Sequence, residues 1–270
     1  MPTHILLQGT TLWVLNGHYS PLEDGLDFLV KAGASTIEVS DFVLTPELID
    51  RIASHNLRLI VQAYPEKASD IEGTLEFARR HKAVAINTHV RTPHFTHEES
   101  VELVKGLVGR AGDAGIPLYC ETHRGCVTQD LYRAARLAEA VPEMRFTLDV
   151  SHYVVCEEVP GPVAKLSSLL DPILDRTEMI HGRISNGQQI QVHTITPGGE
   201  LENTYQDFWS EAMRRWRRRK PAGSSLIFTP ELGPPPYAVV DAEGKELSNR
   251  LQESEKMWAI AQAAWKASAT

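Results

Sequence analysis

The segment PLYCETH (117–123) decides how this chain folds. In a strand, Leu118 and Cys120 fall on one face while Tyr119, Glu121 and His123 fall on the other. RFTLDVSH (145–152) repeats the pattern, with Phe146, Leu148 and Val150 opposed to Thr147, Asp149 and Ser151. The apolar set is expected to meet helices, because short apolar runs of this kind alternate with longer amphipathic ones along the whole chain. That alternation implies parallel strands joined by helical crossovers. Working outward, the remaining strands are ILLQGTTLWV (5–14), STIEVSDF (35–42), LRLIVQAY (57–64), AVAINTHV (83–90), EMIHGRI (178–184) and SLIFTPEL (225–232). Segments such as PLEDGLDFLVKAGA (21–34) and TPELIDRIASHN (45–56) lie between them as helices. Eight strands suit a closed α/β barrel, a single (β/α)8 TIM-barrel domain over residues 1–270. An open doubly wound sheet is the alternative, but the chain lacks a GxGxxG turn of the dinucleotide-binding type.

Composition agrees with one large core: 270 residues, 42% of them hydrophobic. The first residues lack the pattern of a secretory signal and no apolar run approaches a membrane span, so a cytoplasmic protein without membrane contact is expected. The three cysteines, Cys120, Cys126 and Cys156, have neither disulfide-framework nor zinc-site spacing. A net charge of −8 argues against nucleic acid as a partner. The exception is the run Arg214–Lys220, which follows a helical stretch and is expected to be a solvated helix end whose cations oppose the helix dipole.

Strand alternation also turns polar groups inward near the C-terminal strand ends: Glu38 and Ser40, Gln62 and Tyr64, Asn87 and His89, His181 and Arg183, Thr229 and Glu231. One inward acid is ordinarily a hydrogen-bonded core residue. Several together repel one another in a low-dielectric site unless a cation compensates them. Glu121, Asp149, His181 and Glu231, from the fifth to eighth strands, are therefore the expected ligands of one divalent metal ion. The oxygen-rich set suits Mn²⁺ first, or Mg²⁺, with Co²⁺ or Zn²⁺ as alternatives. His89, His123 and His152 are assigned to substrate hydrogen bonding, with His89 and His152 as additional ligands the alternative, and Arg183, on the same strand face as His181, to an anionic or sugar-like substrate, with neutralising the acidic cluster the alternative. Arg91 and Arg124 either grip the substrate or form ion pairs at the rim.

ETHRG (121–125), LDVSH (148–152), HGR (181–183) and PELGPPPY (230–237) together resemble the metal-site strands of the xylose-isomerase-like barrels, the sugar phosphate isomerase/epimerase family. The resemblance implies a metal held by Glu121, Asp149, His181 and Glu231, with His152 and Arg183 beside a sugar-like small molecule, and proton exchange by Glu121 and Glu231 as catalytic residues. Chemistry supports that assignment independently, since moving a proton next to a carbonyl needs a base, an acid and an electrophile. The expected function is a metal-dependent sugar or keto-sugar isomerase or epimerase. A lyase, dehydratase or hydratase using the same enolisation is the alternative. An apurinic-site endonuclease is disfavoured by the acidic balance, and a non-catalytic sugar-binding protein by four intact ligand positions. ETHRG and HGRIS depart from the contexts of the free-ketose epimerases, which leaves the substrate open. The polar segments 89–100 and 187–205 are either substrate-covering loops or plain connections. Residues 230–251 and the helix WAIAQAAWKA (258–267) offer apolar surface for a homo-oligomer.

Overall fold

Every expected strand forms, and the eight join in parallel as β1 (Ile5–Gln8), β2 (Thr36–Ser40), β3 (Arg58–Ala63), β4 (Ala85–Thr88), β5 (Leu118–Glu121), β6 (Phe146–Leu148), β7 (Thr177–Gly182) and β8 (Ser225–Pro230). The structure, a computed structural model, describes residues 4–161 and 167–269. Sheet order runs β1-β8-β7-β6-β5-β4-β3-β2. The two outer strands meet through a parallel bridge between Thr11 and Glu38, with Thr10 N–H donating to Thr36 and Glu38 N–H to Thr10, which closes the (β/α)8 barrel.

The crossovers are α1 (Leu26–Lys31), α2 (Pro46–Ser54), α3 (Glu72–Arg80), α4 (His97–Ala114), α5 (Leu131–Ala140), α6 (Ser151–Cys156), α7 (Ser167–Leu174) and α8 (Glu200–Arg219), and α9 (Arg250–Ala267) follows the last strand. Local chemistry sets their limits. Thr96 and Glu99 form a reciprocal capping box at the start of α4, and Gly115 ends that helix at φ 68°. Outward residues such as Val39, Val61, Ile86, Phe146 and Ile180 are fully buried beneath the helices. Inward, Ile60, Ala85 and Met179 fill the lower barrel, and the layer above them is polar.

Two expected strands are shorter than their apolar pattern. β1 stops at Gln8 and Leu12–Leu15 winds into a 3₁₀ turn. β6 stops at Leu148 because Asp149 Oδ1 accepts from Ser151 N–H at 2.9 Å and from its hydroxyl at 2.5 Å, which bends the chain into α6 and places His152 on a helix. Gly182, between His181 and Arg183, faces out of the barrel. A Cβ there would lie 2.4 Å from the Phe228 ring and 3.2 Å from Met257.

The basic run on α8 is largely paired within the chain. Arg215 reaches Asp171, Asp175 and Glu211, Arg219 and Lys220 share Glu178, and Arg217 lies 3.4 Å over the Trp265 ring of α9. The apolar side of α9, with Met257, Ile260, Ala261 and Ala264 buried, packs mainly on α8 and β8. No described helix is long and apolar enough to cross a membrane.

Candidate active site

The strand ends gather a buried polar cluster with Glu121 at its centre. Glu121 is 1% exposed at the last position of β5. Its Oε2 accepts from Asn87 Nδ2 at 2.6 Å, lies 2.7 Å from His89 Nε2 and 3.3 Å from His181 Nδ1. His181 Nδ1 is also 2.9 Å from Glu231 Oε2, from the residue that follows β8. On its other side His181 Nε2 lies 2.9 Å from Glu38 Oε2, while Glu38 Oε1 accepts from Asn87 Nδ2 at 2.8 Å. A carboxylate oxygen accepts, so Nε2 carries a proton, and Glu38 turns Nδ1 toward Glu121 and Glu231, where an incoming ion would have to displace the second proton.

Arg183 is the internal cation of this cluster. Its Nε donates to Asp149 Oδ2 at 3.1 Å and its NH2 group to Glu231 Oε2 at 2.6 Å, with Tyr237 4.6 Å under the guanidinium. The guanidinium that the sequence assigns to substrate therefore lies between two of the expected ligands. Next to it, His89, His123 and His152 form a stack with ring separations of 4.3 and 3.9 Å.

Electrostatics divide these groups. Burial alone would raise Glu121, but the charges of His89 and His181 outweigh it and hold the carboxyl well below the usual range. Glu231 is likewise lowered, because Arg183 and His181 together overcome burial. Asp149 is pushed up to about 6: burial dominates, Arg183 opposes it, and the charges of Glu231 and Glu121 add to it. His181 resists its own burial through Glu231, Glu121 and Glu38 and sits well above the usual histidine range. His123 falls to about 4 and His152 well below its usual value, mainly through burial, with cationic neighbours adding to it.

The donor set fits a divalent ion. Glu121 Oε1 and both ring nitrogens of His152 are buried without a hydrogen-bond partner, although buried polar atoms are normally paired. Among the described residues, three groups of ligand atoms lie within 4.8 Å of one another: Glu38, Glu121 and His181; Glu121, Asp149 and His152; His89, Glu121 and His123. Glu121 belongs to all three. Glu231 belongs to none, and reaches the centre through His181 and Arg183.

All eight expected site residues thus lie in one region, joined by Glu38 and Asn87, to which the sequence gives a direction but no role. It gives no sign of the cavity of about 310 Å³ beside the cluster. That cavity is also lined by Leu12, Trp13, Leu22, Phe42, Val43 and Tyr237, which lie in the turns after β1, β2 and β8; Leu12, Trp13 and Phe42 were expected within strands, but those strands end earlier. The two polar segments are tied to the rest of the chain, and the first carries His89 and Arg91 on the cavity wall. Arg133 donates to the carbonyls of Pro93 and Phe95, and Gln191 exchanges two hydrogen bonds with the backbone of Gly233.

No family model and no curated protein matches the chain. Among solved structures, a sugar phosphate isomerase/epimerase from Parabacteroides distasonis ATCC 8503 is similar over 97% of this chain and 94% of its own, with 13% identity and a TM-score of 0.60. The probable 3-DHS dehydratase AsbF from Bacillus anthracis, described as involved in petrobactin synthesis, is similar over 83% of this chain and 92% of its own, with 14% identity and a TM-score of 0.59. At these identities the likeness establishes a shared barrel fold.

Proposed function

We propose that the protein is a divalent-metal-dependent isomerase or epimerase of a sugar or keto-sugar. The observation that carries this reading is the pair of buried carboxylates, Glu121 and Glu231, 3.3 and 2.9 Å from one imidazole nitrogen of His181. Glu121, Asp149, His181 and Glu231 would hold the ion, for which Mn²⁺ fits the oxygen-rich donors best. When bound, the ion polarises the substrate carbonyl and stabilises the negative charge that develops on its oxygen.

The chain's own groups do the rest. Glu231 borders the cavity, as do His89 and His123, so its carboxylate is placed to take a proton from the carbon next to the carbonyl. Glu121, which meets the same His181 nitrogen, would be the second acid–base group that inversion at one carbon requires. His123, kept neutral by its low pKa of about 4, presents its ring to substrate hydroxyls without adding charge. The same first step begins an elimination, and one neighbour in fold is named a dehydratase, so a lyase is the second reading.

Turnover of a panel of ketopentoses, ketohexoses and keto-inositols with Mn²⁺ in D₂O, followed by NMR, tests the proposal. Deuterium is expected at the carbon beside the carbonyl. Cleavage of an abasic-site duplex with no exchange on any keto-sugar would overturn it.

A further inference from the structure

The cavity beside the carboxylates has two unlike halves. Glu38, Gln62, His89, His123 and Glu231 border it on the inner side, whereas Leu12, Trp13, Leu22, Phe42, Val43 and Tyr237 wall the outer side. Four of its rings stand in two pairs: Trp13 against Tyr237 at 5.4 Å, and Phe42 against Tyr64 at 5.7 Å. We propose that this outer half receives an aromatic substituent carried by the sugar-like substrate, which deepens the isomerase reading and rests on it.

Three observations lead there. Phe42 is 75% exposed and Val43 37%, so neither packs in the core, yet both stand at the mouth of a concave site. Large apolar groups left open around a pocket mark what the pocket binds. Second, much of the polar lining near this wall is already engaged. The Ser40 hydroxyl is bonded to Gln62 Oε1 and to the Tyr64 hydroxyl, each at 2.9 Å, and Tyr64 donates to Gln62 at 2.6 Å. The hydroxyls of a second sugar ring would find mainly Asn16 and Arg91 here, whereas an aryl ring asks for no partner on its faces. Third, a donor that remains suits an aryl ether or phenol: the Arg91 guanidinium lies 4.4 Å over the Tyr64 ring at the cavity edge. A cavity of about 310 Å³ falls within the roughly 300–1,000 Å³ range of sites for ligands larger than one ring.

Calorimetric titration in the presence of Mn²⁺ tests this, using methyl and phenyl β-D-glucopyranoside and phenol alone on the wild type and on Phe42→Ala. Phe42 is exposed and outside the carboxylate cluster, so the variant keeps the fold. The phenyl glycoside is expected to bind at least about tenfold more tightly than the methyl glycoside, a preference that falls severalfold in Phe42→Ala and recovers in Phe42→Trp. Equal affinity for the two glycosides, no binding of either aryl compound, or a preference indifferent to residue 42 overturns the proposal. Failure of the two readings is distinguishable. Deuterium exchange on free keto-sugars with no aryl preference removes the aromatic subsite and keeps the isomerase; Phe42-dependent phenol binding with no exchange on any sugar does the reverse.

Discussion

Replacing Glu38 by glutamine keeps the shape of a side chain that is 2% exposed and changes one carboxylate oxygen to an NH₂ group. That single change cannot be accommodated without loss. Glu38 accepts from Asn87 Nδ2 at 2.8 Å through one oxygen and meets His181 Nε2 at 2.9 Å through the other. An amide nitrogen in either place sets donor against donor. Asn87 cannot escape by turning its own amide, because the same Nδ2 also donates to Glu121 at 2.6 Å, and a carbonyl oxygen there would face a carboxylate. The relief left is for His181 to give up the proton on Nε2 and keep the one on Nδ1 between Glu121 and Glu231, which leaves no lone pair there for an ion to take. Loss of such an orienting carboxylate typically lowers metal affinity about 10–100-fold, or about 1.4–2.7 kcal/mol. Equilibrium dialysis of wild type and Glu38→Gln against Mn²⁺ measures it, with thermal unfolding of both metal-free proteins as the control for folding. A folded Glu38→Gln protein that binds Mn²⁺ as tightly as wild type would refute the orienting role of Glu38.

Asp149→Ala is expected mainly to reduce metal retention, whereas Glu231→Gln retains metal and loses turnover by more than roughly a hundredfold; rate and metal content measured together separate the two. Because its carboxylate neighbours hold the His181 pKa well above the usual value, metal-free protein at pH 7 carries a proton that an incoming ion must displace. Affinity then rises with pH until that raised pKa is passed, and calorimetry in two buffers of different ionisation enthalpy reads about one proton released per ion at pH 7; no release there would contradict the assignment. Arg250, 2% exposed, donates to the carbonyls of Val14 and Asn16 and pairs with Glu246, so Arg250→Met should cost about 3–5 kcal/mol and lower Tm by on the order of 10 °C in a melting experiment.

The barrel was legible because a buried parallel strand must alternate between helices and barrel interior, and PLYCETH and RFTLDVSH write that alternation in charge as well as hydropathy. Alternation reports direction, however, and not distance. It turns Glu38, Asn87 and Arg183 inward as surely as it does Glu121. It does not say that Arg183 will lie between Asp149 and Glu231, since that depends on how far β6, β7 and β8 rise past one another. The end of β6 was hidden for a local reason: Val150-Ser151-His152 continues the strand pattern, but the Asp149 side chain takes the Ser151 amide and starts a helix. The aromatic wall was illegible because Trp13 and Phe42 continue the strand patterns of 5–14 and 35–42 while the strands end at Gln8 and Ser40, and because only the closed barrel brings them beside Tyr237. The basic run shows the opposite case. Its charge looked like a surface feature, and most of it is consumed by acids on α7, on β7 and within α8.

The contact between Gly182 and the Phe228 ring has a consequence for how this site can evolve. Residue 182 stands between His181 and Arg183, and the space a side chain would need there is occupied by Phe228 and bounded by Met257. Any larger residue at 182 must push the backbone inward and carry both flanking side chains off their partners, unless position 228 shrinks at the same time. The two positions are thus locked in sequence: an ancestor could leave glycine at 182 only along a path on which 228 had already become small. In lineages of this barrel, covariation of 182 with 228, two residues that never touch substrate, would be the trace of a pressure to keep His181 and Arg183 aimed at the same carboxylates.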